Sequence, residues 1–293
     1  MRSKNFFVIT IISLIIKNKK QKTKTSKDLF SKDLLGKHMF RYFYLLTFLF
    51  LSFVSFLTKA DHTKTWIVSK VYISDTIHTK KVTSDDPMYL YRIFELDGHS
   101  IKTNVFSDSN IETCLNYKIK KFKINFDDLL NNNMARNKDE ILIAKSFDIE
   151  IEQPINQIDI YCPNINETWT LFEKKKNEYL IINTYDSILE LKSIEKENVK
   201  PSFSCHNAKK LSEKLICQNM YLSGLDKSIH DIYFNIRKDY IYNDSLQEFG
   251  EINNRQKEFI RKRDLCTDEK CLIDIMSEYT IELHNDMPLI TPY

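Results

Sequence analysis

The chain has 293 residues, of which 42% are hydrophobic, so it is long enough to bury a substantial core. Its 4 Gly and 6 Pro exclude collagen-like and low-complexity classes. The formal net charge of +3 is unevenly distributed, because residues 1–60 contain 12 basic against 2 acidic residues and the remainder contains 31 against 38. This acidic remainder argues against nucleic-acid binding, which requires a surplus of Lys and Arg to neutralise phosphates.

Two apolar runs precede residue 60 and predict export. The first has only 11 residues, too short for a bilayer that requires about 20. The second, Tyr42–Leu57, is followed by the small residue Ala60, as in a signal peptide cleaved between Ala60 and Asp61. We expect an upstream extension over 1–38, a signal peptide over 39–60 and no stable membrane span after cleavage. An uncleaved signal anchor is the alternative.

Residues 61–198 contain short runs of β-branched and aromatic residues separated by polar turns, a pattern typical of strands. Asp97-Gly98 indicates a hairpin between two of them, and Asp127–Asn133 is the only run with a helical pattern. We therefore expect a β-rich domain of unknown role over 61–198. Its predicted strands are Trp66–Ile73, Tyr89–Leu96, Ser100–Val105, Tyr117–Ile124, Phe147–Ile151, Ile158–Cys162, Thr168–Phe172, Tyr179–Asn183 and Ile188–Lys192.

After Pro201 the apolar period changes from 2 toward 3.6 residues, which predicts helices. The predicted helices contain Leu211–Cys217, Leu225–Tyr240, Leu246–Ile260 and Leu272–Leu283. The expected fold class is therefore α+β: a β-rich N-terminal domain followed by a small, disulfide-stapled all-α domain of four helices over 201–284. A helical domain of this size has a marginal core and benefits from covalent cross-links.

All the cysteines follow residue 60, and their even number predicts disulfide bonds in an exported protein. Their spacings do not match the Cys-x2-Cys pairs of zinc sites, so we expect no metal and no cofactor. The six residues are Cys114, Cys162, Cys205, Cys217, Cys266 and Cys271.

The spacing of the cysteines favours sequential pairing. Cys114–Cys162 is suitably placed for a long-range bond in the β-rich part, and Cys266–Cys271 closes easily between two predicted helices. A Cys205–Cys217 bond requires the helix to begin near Leu211, because a continuous helix would separate the two residues by about 18 Å.

The helical segment carries a specific set of landmarks in register with its four cysteines: Pro201-Ser-Phe-Ser-Cys205, Glu213-Lys-Leu-Ile-Cys217, Leu225-Asp226, Tyr233, Arg255-Gln256, Phe259, Arg263-Asp-Leu-Cys266 and Cys271-Leu272. With these landmarks, the segment from Pro201 to Leu283 resembles the domain named after the LprI lysozyme inhibitor. It departs from the family at Lys210-Leu211, where a hydroxyl and Pro are common, and at Phe259, where Trp is usual. With Asp86-Pro87, Tyr91-Arg92-Ile93-Phe94 and Met134-Ala-Arg136, the segment Trp66–Arg136 more weakly resembles the front domain of bacterial exported proteins that carry this module.

The resemblance implies an exported protein that binds and blocks a cell-wall-degrading lysozyme through its helical domain. It directs attention to four polar residues, Asp226, Gln256, Arg263 and Asp264, in a structural or a binding role. In the binding interpretation, Arg263 contacts the paired carboxylates of a lysozyme cleft. In the structural interpretation, which we favour, Arg263 pairs with a carboxylate such as Asp226 and Gln256 bonds to buried backbone.

The sequence lacks the G-x-S-x-G, H-E-x-x-H and P-loop motifs, so we expect a binding protein rather than an enzyme. The expected partner is a cationic lysozyme or another envelope protein, with no nucleic acid, and the expected location is periplasmic or secreted. The alternative function is an envelope protein-interaction module without lysozyme inhibition. An envelope hydrolase is the least favoured hypothesis.

Overall fold

The computed structural model describes residues 63–76, 82–107, 110–134, 139, 141–183 and 186–287. Residues Asp61–Tyr293 form one compact unit. The predicted upstream extension, the signal peptide and the cleavage site at Ala60 and Asp61 lie outside the described residues.

Nine antiparallel strands form one sheet in the order β4-β3-β2-β1-β9-β8-β7-β6-β5. The long strand β1 is central and pairs with β2 on one side and β9 on the other. The strands are β1 (Lys64–Ile73), β2 (Ile93–Leu96), β3 (Ser100–Thr103), β4 (Glu112–Leu115), β5 (Lys118–Ile124), β6 (Ile155–Cys162), β7 (Glu167–Lys175), β8 (Glu178–Asn183) and β9 (Ser187–Ile194).

The sheet is curled like half a barrel, and its edge strand β4 is linked to β6, the strand next to the opposite edge. Cys114 in the edge strand β4 bonds to Cys162 at the end of β6, with 5.2 Å between their Cα atoms. Asn164, just after β6, adds two hydrogen bonds to β4: its Oδ1 accepts from the Leu115 amide at 2.7 Å, and its Nδ2 donates to the Thr113 carbonyl at 2.7 Å. One disulfide bond and two hydrogen bonds therefore tie β4 to the C-terminal end of β6.

The described residues contain five α-helices, and in three of them a side chain caps free amides of the first turn. Asn219 caps α3 by accepting from the amides of Tyr221 and Leu222, and Asp268 caps α5 by accepting from the Cys271 amide at 2.9 Å. The helices are α1 (Phe126–Asn133), α2 (Leu211–Gln218), α3 (Met220–Tyr242), α4 (Leu246–Arg263) and α5 (Glu269–Asn285).

The helices pack directly on the segment that connects β1 to β2. A Cβ atom at Gly224 of α3 would lie 2.5 Å from the Tyr91 carbonyl oxygen, so only glycine permits this approach. The Ser228 hydroxyl donates to the Leu90 carbonyl at 3.1 Å, and the Tyr91 hydroxyl donates to Asp231 at 2.8 Å. Polar bonds thus join α3 to the strand region.

The largest hydrophobic core is shared by strands and helices. It contains Val68, Ile101 and Leu191 from the sheet together with Ile229, Met276 and Leu283 from α3 and α5. The predicted fold class, a β-rich domain followed by a separate four-helix domain, is therefore wrong. The helices have too little apolar surface of their own, and they bury it against the curled sheet instead.

Individual elements also depart from the predictions. The predicted strand Phe147–Ile151 is a 3₁₀ turn, Ala144–Phe147, which ends at Asp148 in a left-handed conformation with φ of 58°. Phe147 and Ile149 are buried in a second core with Phe126 of α1, so their apolar character reflects this packing and not a strand. Strand β4 has no apolar alternation and was not predicted.

Candidate functional site

All six cysteines form disulfide bonds, which confirms the prediction of a disulfide framework. Cys205 bonds to Cys217 near the end of α2, with 5.8 Å between their Cα atoms, and Cys205 lies in a 3₁₀ turn that precedes the helix. Cys266 bonds to Cys271 across the turn between α4 and α5, with a Cα separation of 5.5 Å. Disulfide bonds of this number are typical of proteins that fold in an oxidising compartment.

The helix α2 begins at Leu211 because Glu213 satisfies the preceding amides. Its Oε2 accepts from the amides of Lys209 and Lys210 at 2.8 and 3.0 Å. These bonds lower the pKa of Glu213, since they favour the charged form. The carboxylate therefore bonds the amides just before the helix, while no side chain at position 210 accepts from the amides of the first turn.

Arg263 lies in a buried ionic cluster at the end of α4. Its Nε and Nη2 donate to Asp264 Oδ1 at 3.1 and 2.8 Å, while its Nη1 lies 4.0 Å from Asp226 Oδ1. Asp226 Oδ2 accepts from the amide and hydroxyl of Ser202 at 2.7 and 2.6 Å. The cluster joins the segment before α2 to α3 and α4.

Asp264 is the most heavily bonded carboxylate of this cluster. Burial raises its pKa, but hydrogen bonds from Lys210 and Arg263 lower it further than burial raises it, so the net pKa is lowered. The Ser212 hydroxyl adds a bond at 3.2 Å. Only 11% of the Arg263 side chain is exposed, and its guanidinium bonds to carboxylates within the cluster.

Gln256 contacts a side chain rather than backbone. Its Oε1 accepts from the Tyr279 hydroxyl at 2.9 Å, which links α4 to α5. The Tyr279 ring stacks on Phe259 with 4.1 Å between centroids and 10° between planes. Burial raises the pKa of Tyr279 well above its ordinary value.

A groove of 210 Å³ lies between α4 and α5 on the outside of the helices, directly over the stacked Phe259 and Tyr279 rings. We call it the α4–α5 groove. It is lined by Arg255, Glu258, Phe259, Lys262, Ile275, Glu278, Tyr279 and Glu282.

The rim of the α4–α5 groove has more carboxylates than cations. Arg255 is held by Glu282 at 3.2 Å and by Asp286 at 2.5 Å, and Glu258 pairs with Arg261 at 2.7 Å. Glu278 is exposed and has no ion-pair partner among the described residues. The groove therefore combines an aromatic floor with a rim of three carboxylates and two cations, Arg255 and Lys262.

Sequence reasoning missed Glu278 and Glu282. The signal that identifies them is the spacing of Asp274, Glu278 and Glu282 at i, i+4 and i+8, which places three exposed acids along one face of α5. Arg255 and Phe259, in contrast, are landmarks of the resemblance that line the same groove.

The described ranges contain no group of three His, Cys, Asp or Glu side chains suited to hold a metal ion. No helix within those ranges is both long and apolar enough to cross a membrane. Comparison with known proteins finds no matching family model, no matching curated protein and no matching solved structure.

Proposed function

We propose that this chain is an exported, LprI-like inhibitor that binds a cationic lysozyme through the α4–α5 groove and has no catalytic activity of its own. The resemblance of Pro201–Leu283 supplies the activity, and the disulfide bonds agree with export to the periplasm or beyond. The observation that carries the proposal is that Arg255, a landmark of that resemblance, and Phe259, at a position where the family usually has Trp, line an exposed groove between disulfide-linked helices.

The groove suits a rigid binding surface for physical reasons. The Cys266–Cys271 bond fixes the turn that joins α4 to α5, and the Gln256–Tyr279 bond fixes the helices further along. A surface that is already ordered loses less conformational entropy when it binds. The carboxylate rim complements a cationic enzyme, which accelerates association and makes it sensitive to salt.

The test is a lysis assay with purified, disulfide-bonded residues 61–293. We expect an equimolar excess to slow the clearing of a cell-wall suspension by at least one of the chicken-type, goose-type and invertebrate-type lysozymes. The absence of slowing with all three would remove the proposal and would favour the alternative, an envelope protein-interaction module.

Charge-reversal variants test whether the α4–α5 groove is the surface that binds the lysozyme. We expect the double variant E278K/E282K to weaken inhibition about ten-fold or more, because it places two cations against a cationic enzyme. The matched control is E150K/E197K, which makes the same change in net charge at exposed positions of the strand part. If both variants weaken inhibition equally, the net charge of the protein determines inhibition and the groove is not the binding surface.

A further inference from the structure

The strand β5 lies at one edge of the described sheet. It pairs with β6 from Lys118 opposite Tyr161 to Ile124 opposite Ile155, and no described strand pairs with its other side. The other edge strand, β4, is covered in part by Asn164. An uncovered edge presents unpaired amides and carbonyls to which a further strand can bind.

The sequence of β5, Lys-Ile-Lys-Lys-Phe-Lys-Ile, is strongly basic. Its four lysines, at positions 118, 120, 121 and 123, are all exposed, and none forms an ion pair with a carboxylate of a described residue. Asp159 lies opposite Lys120 but accepts hydrogen bonds from Gln157 at 2.7 Å and Thr170 at 3.0 Å. This strip contrasts with the rest of residues 61–200, which contain 15 other basic residues against 23 acidic ones.

Exposed apolar side chains accompany the lysines on both faces of β5. Ile119 is 44% exposed and Phe122 is 46% exposed, and they point to opposite faces because strand residues alternate. Each face of the edge therefore offers two lysines and at least one apolar side chain. This is the pattern of side-chain contacts that an added strand uses for specificity.

We propose that β5 is a docking edge for an extended acidic segment of another polypeptide, which adds to the sheet as a tenth strand. Backbone hydrogen bonds would hold the segment, and its Asp or Glu side chains would face the lysines of β5. A second copy of β5 is a poor partner, because lysines would then face lysines. The lysines thus prevent self-association through this edge and select an acidic strand.

Fluorescence anisotropy with labelled peptides tests this docking edge on purified, disulfide-bonded residues 61–293. We expect the alternating peptide Glu-Val-Glu-Val-Glu-Val-Glu to bind saturably, with a Kd below about 1 mM. For the same peptide with proline at its central position, we expect the affinity to be at least about ten-fold lower, because proline lacks the backbone N–H and disrupts strand pairing. Equal binding of the proline peptide, or no binding of the alternating peptide, would overturn strand addition.

Variants of the strand complete the experiment. We expect K120E/K121E to reduce the affinity for the alternating peptide about ten-fold or more, and K120R/K121R to preserve it. The control K200E/K257E makes the same change in net charge at exposed lysines elsewhere. A loss of affinity in K200E/K257E as large as that in K120E/K121E would also overturn the proposal. Because no residue of β5 lines the α4–α5 groove, lysozyme inhibition should be unchanged in K120E/K121E.

Discussion

At the scale of single residues, two glycines in neighbouring helices should respond to alanine in opposite ways. In G224A, the new methyl group would meet the Tyr91 carbonyl oxygen at 2.5 Å, so we expect destabilisation of about 1–3 kcal/mol or more. In G250A, the methyl group would meet nothing within 4 Å, so we expect stabilisation of roughly 0.5–1 kcal/mol from improved helix propensity. Urea unfolding of both variants measures the two effects; a G224A variant as stable as the parent would contradict this helix–strand contact.

Arg263 gives the second prediction at this scale. We expect R263A to destabilise the protein by about 3–5 kcal/mol, because Asp264 and Asp226 would lose a buried cationic neighbour. The matched variant K210A removes the other cation bonded to Asp264, but 56% of the Lys210 side chain is exposed, so we expect a cost of about 1 kcal/mol or less. Denaturant unfolding compares the two, and a larger loss in K210A would refute the structural role of Arg263.

The polar residues show what a sequence can and cannot specify at this scale. The resemblance identifies Asp226, Gln256, Arg263 and Asp264, and the structure brings Asp226, Arg263 and Asp264 into one cluster. The partner of Gln256 is a tyrosine hydroxyl on α5 and not buried backbone, since the choice between acceptors depends on helix packing. Contacts such as Tyr91 with Asp231 join positions 140 residues apart, and no local pattern in the sequence indicates them.

At the scale of elements, the three disulfide bonds should differ in the stability they provide. Their sequence separations are 48, 12 and 5 residues for Cys114–Cys162, Cys205–Cys217 and Cys266–Cys271. In the chain-entropy description, the corresponding contributions are about 4, 3 and 2 kcal/mol. We expect thermal unfolding of the paired Cys→Ala variants to follow this order, and the largest loss on removing Cys266–Cys271 would contradict it.

A partly buried cluster between strands predicts a dependence of stability on pH. Glu190 of β9 accepts from Lys174 at 2.7 Å and from Tyr72 at 2.6 Å. Burial raises the pKa of Glu190, but these two hydrogen bonds outweigh it, and the net pKa is lowered from 4.5. The contribution of Glu190 to the free energy of unfolding is therefore fully present above pH 4.5, the ordinary pKa of the unfolded chain. This contribution is lost as the pH falls from 4.5 through the lower pKa of the folded state.

The variant E190Q should show this directly. We expect it to be less stable than the parent at neutral pH and to lose less stability when the pH is lowered to about 3. Urea unfolding at the two pH values provides the measurement, with E197Q as the exposed control that keeps the parental pH dependence. If E190Q loses as much stability on acidification as the parent does, Glu190 is not the origin of the pH dependence.

The helices and most strands could be predicted because each has its own periodicity. The stripe from Leu225 to Tyr240 lies within α3, and Asp97-Gly98 lies in the turn of the β2–β3 hairpin. Strand β4 could not be predicted, because Glu-Thr-Cys-Leu has no apolar alternation and is held in place by the bond from Cys114 to Cys162. The segment Phe147–Ile151 has the apolar pattern of a strand, but its apolar side chains belong to a turn and pack in the second core.

At the scale of the whole molecule, the fold unites segments that the change of periodicity at Pro201 suggested as separate domains. Periodicity reports the local conformation of each segment but not which apolar faces meet. The shared core, the approach of Gly224 to Tyr91, and the contact of His284 with buried Asp86 at 3.0 Å all cross that boundary. The α4–α5 groove therefore depends on the strands for its stability, and function should be tested on the intact unit.

Differential scanning calorimetry of disulfide-bonded residues 61–293 tests this unity most directly. Because strands and helices share one core, we predict a single transition whose calorimetric enthalpy equals the van't Hoff enthalpy. Residues 199–293 alone should show no cooperative transition, since their apolar surface would be left uncovered. Two separate transitions in the intact unit, or a cooperative transition in the isolated helical segment, would contradict a common core.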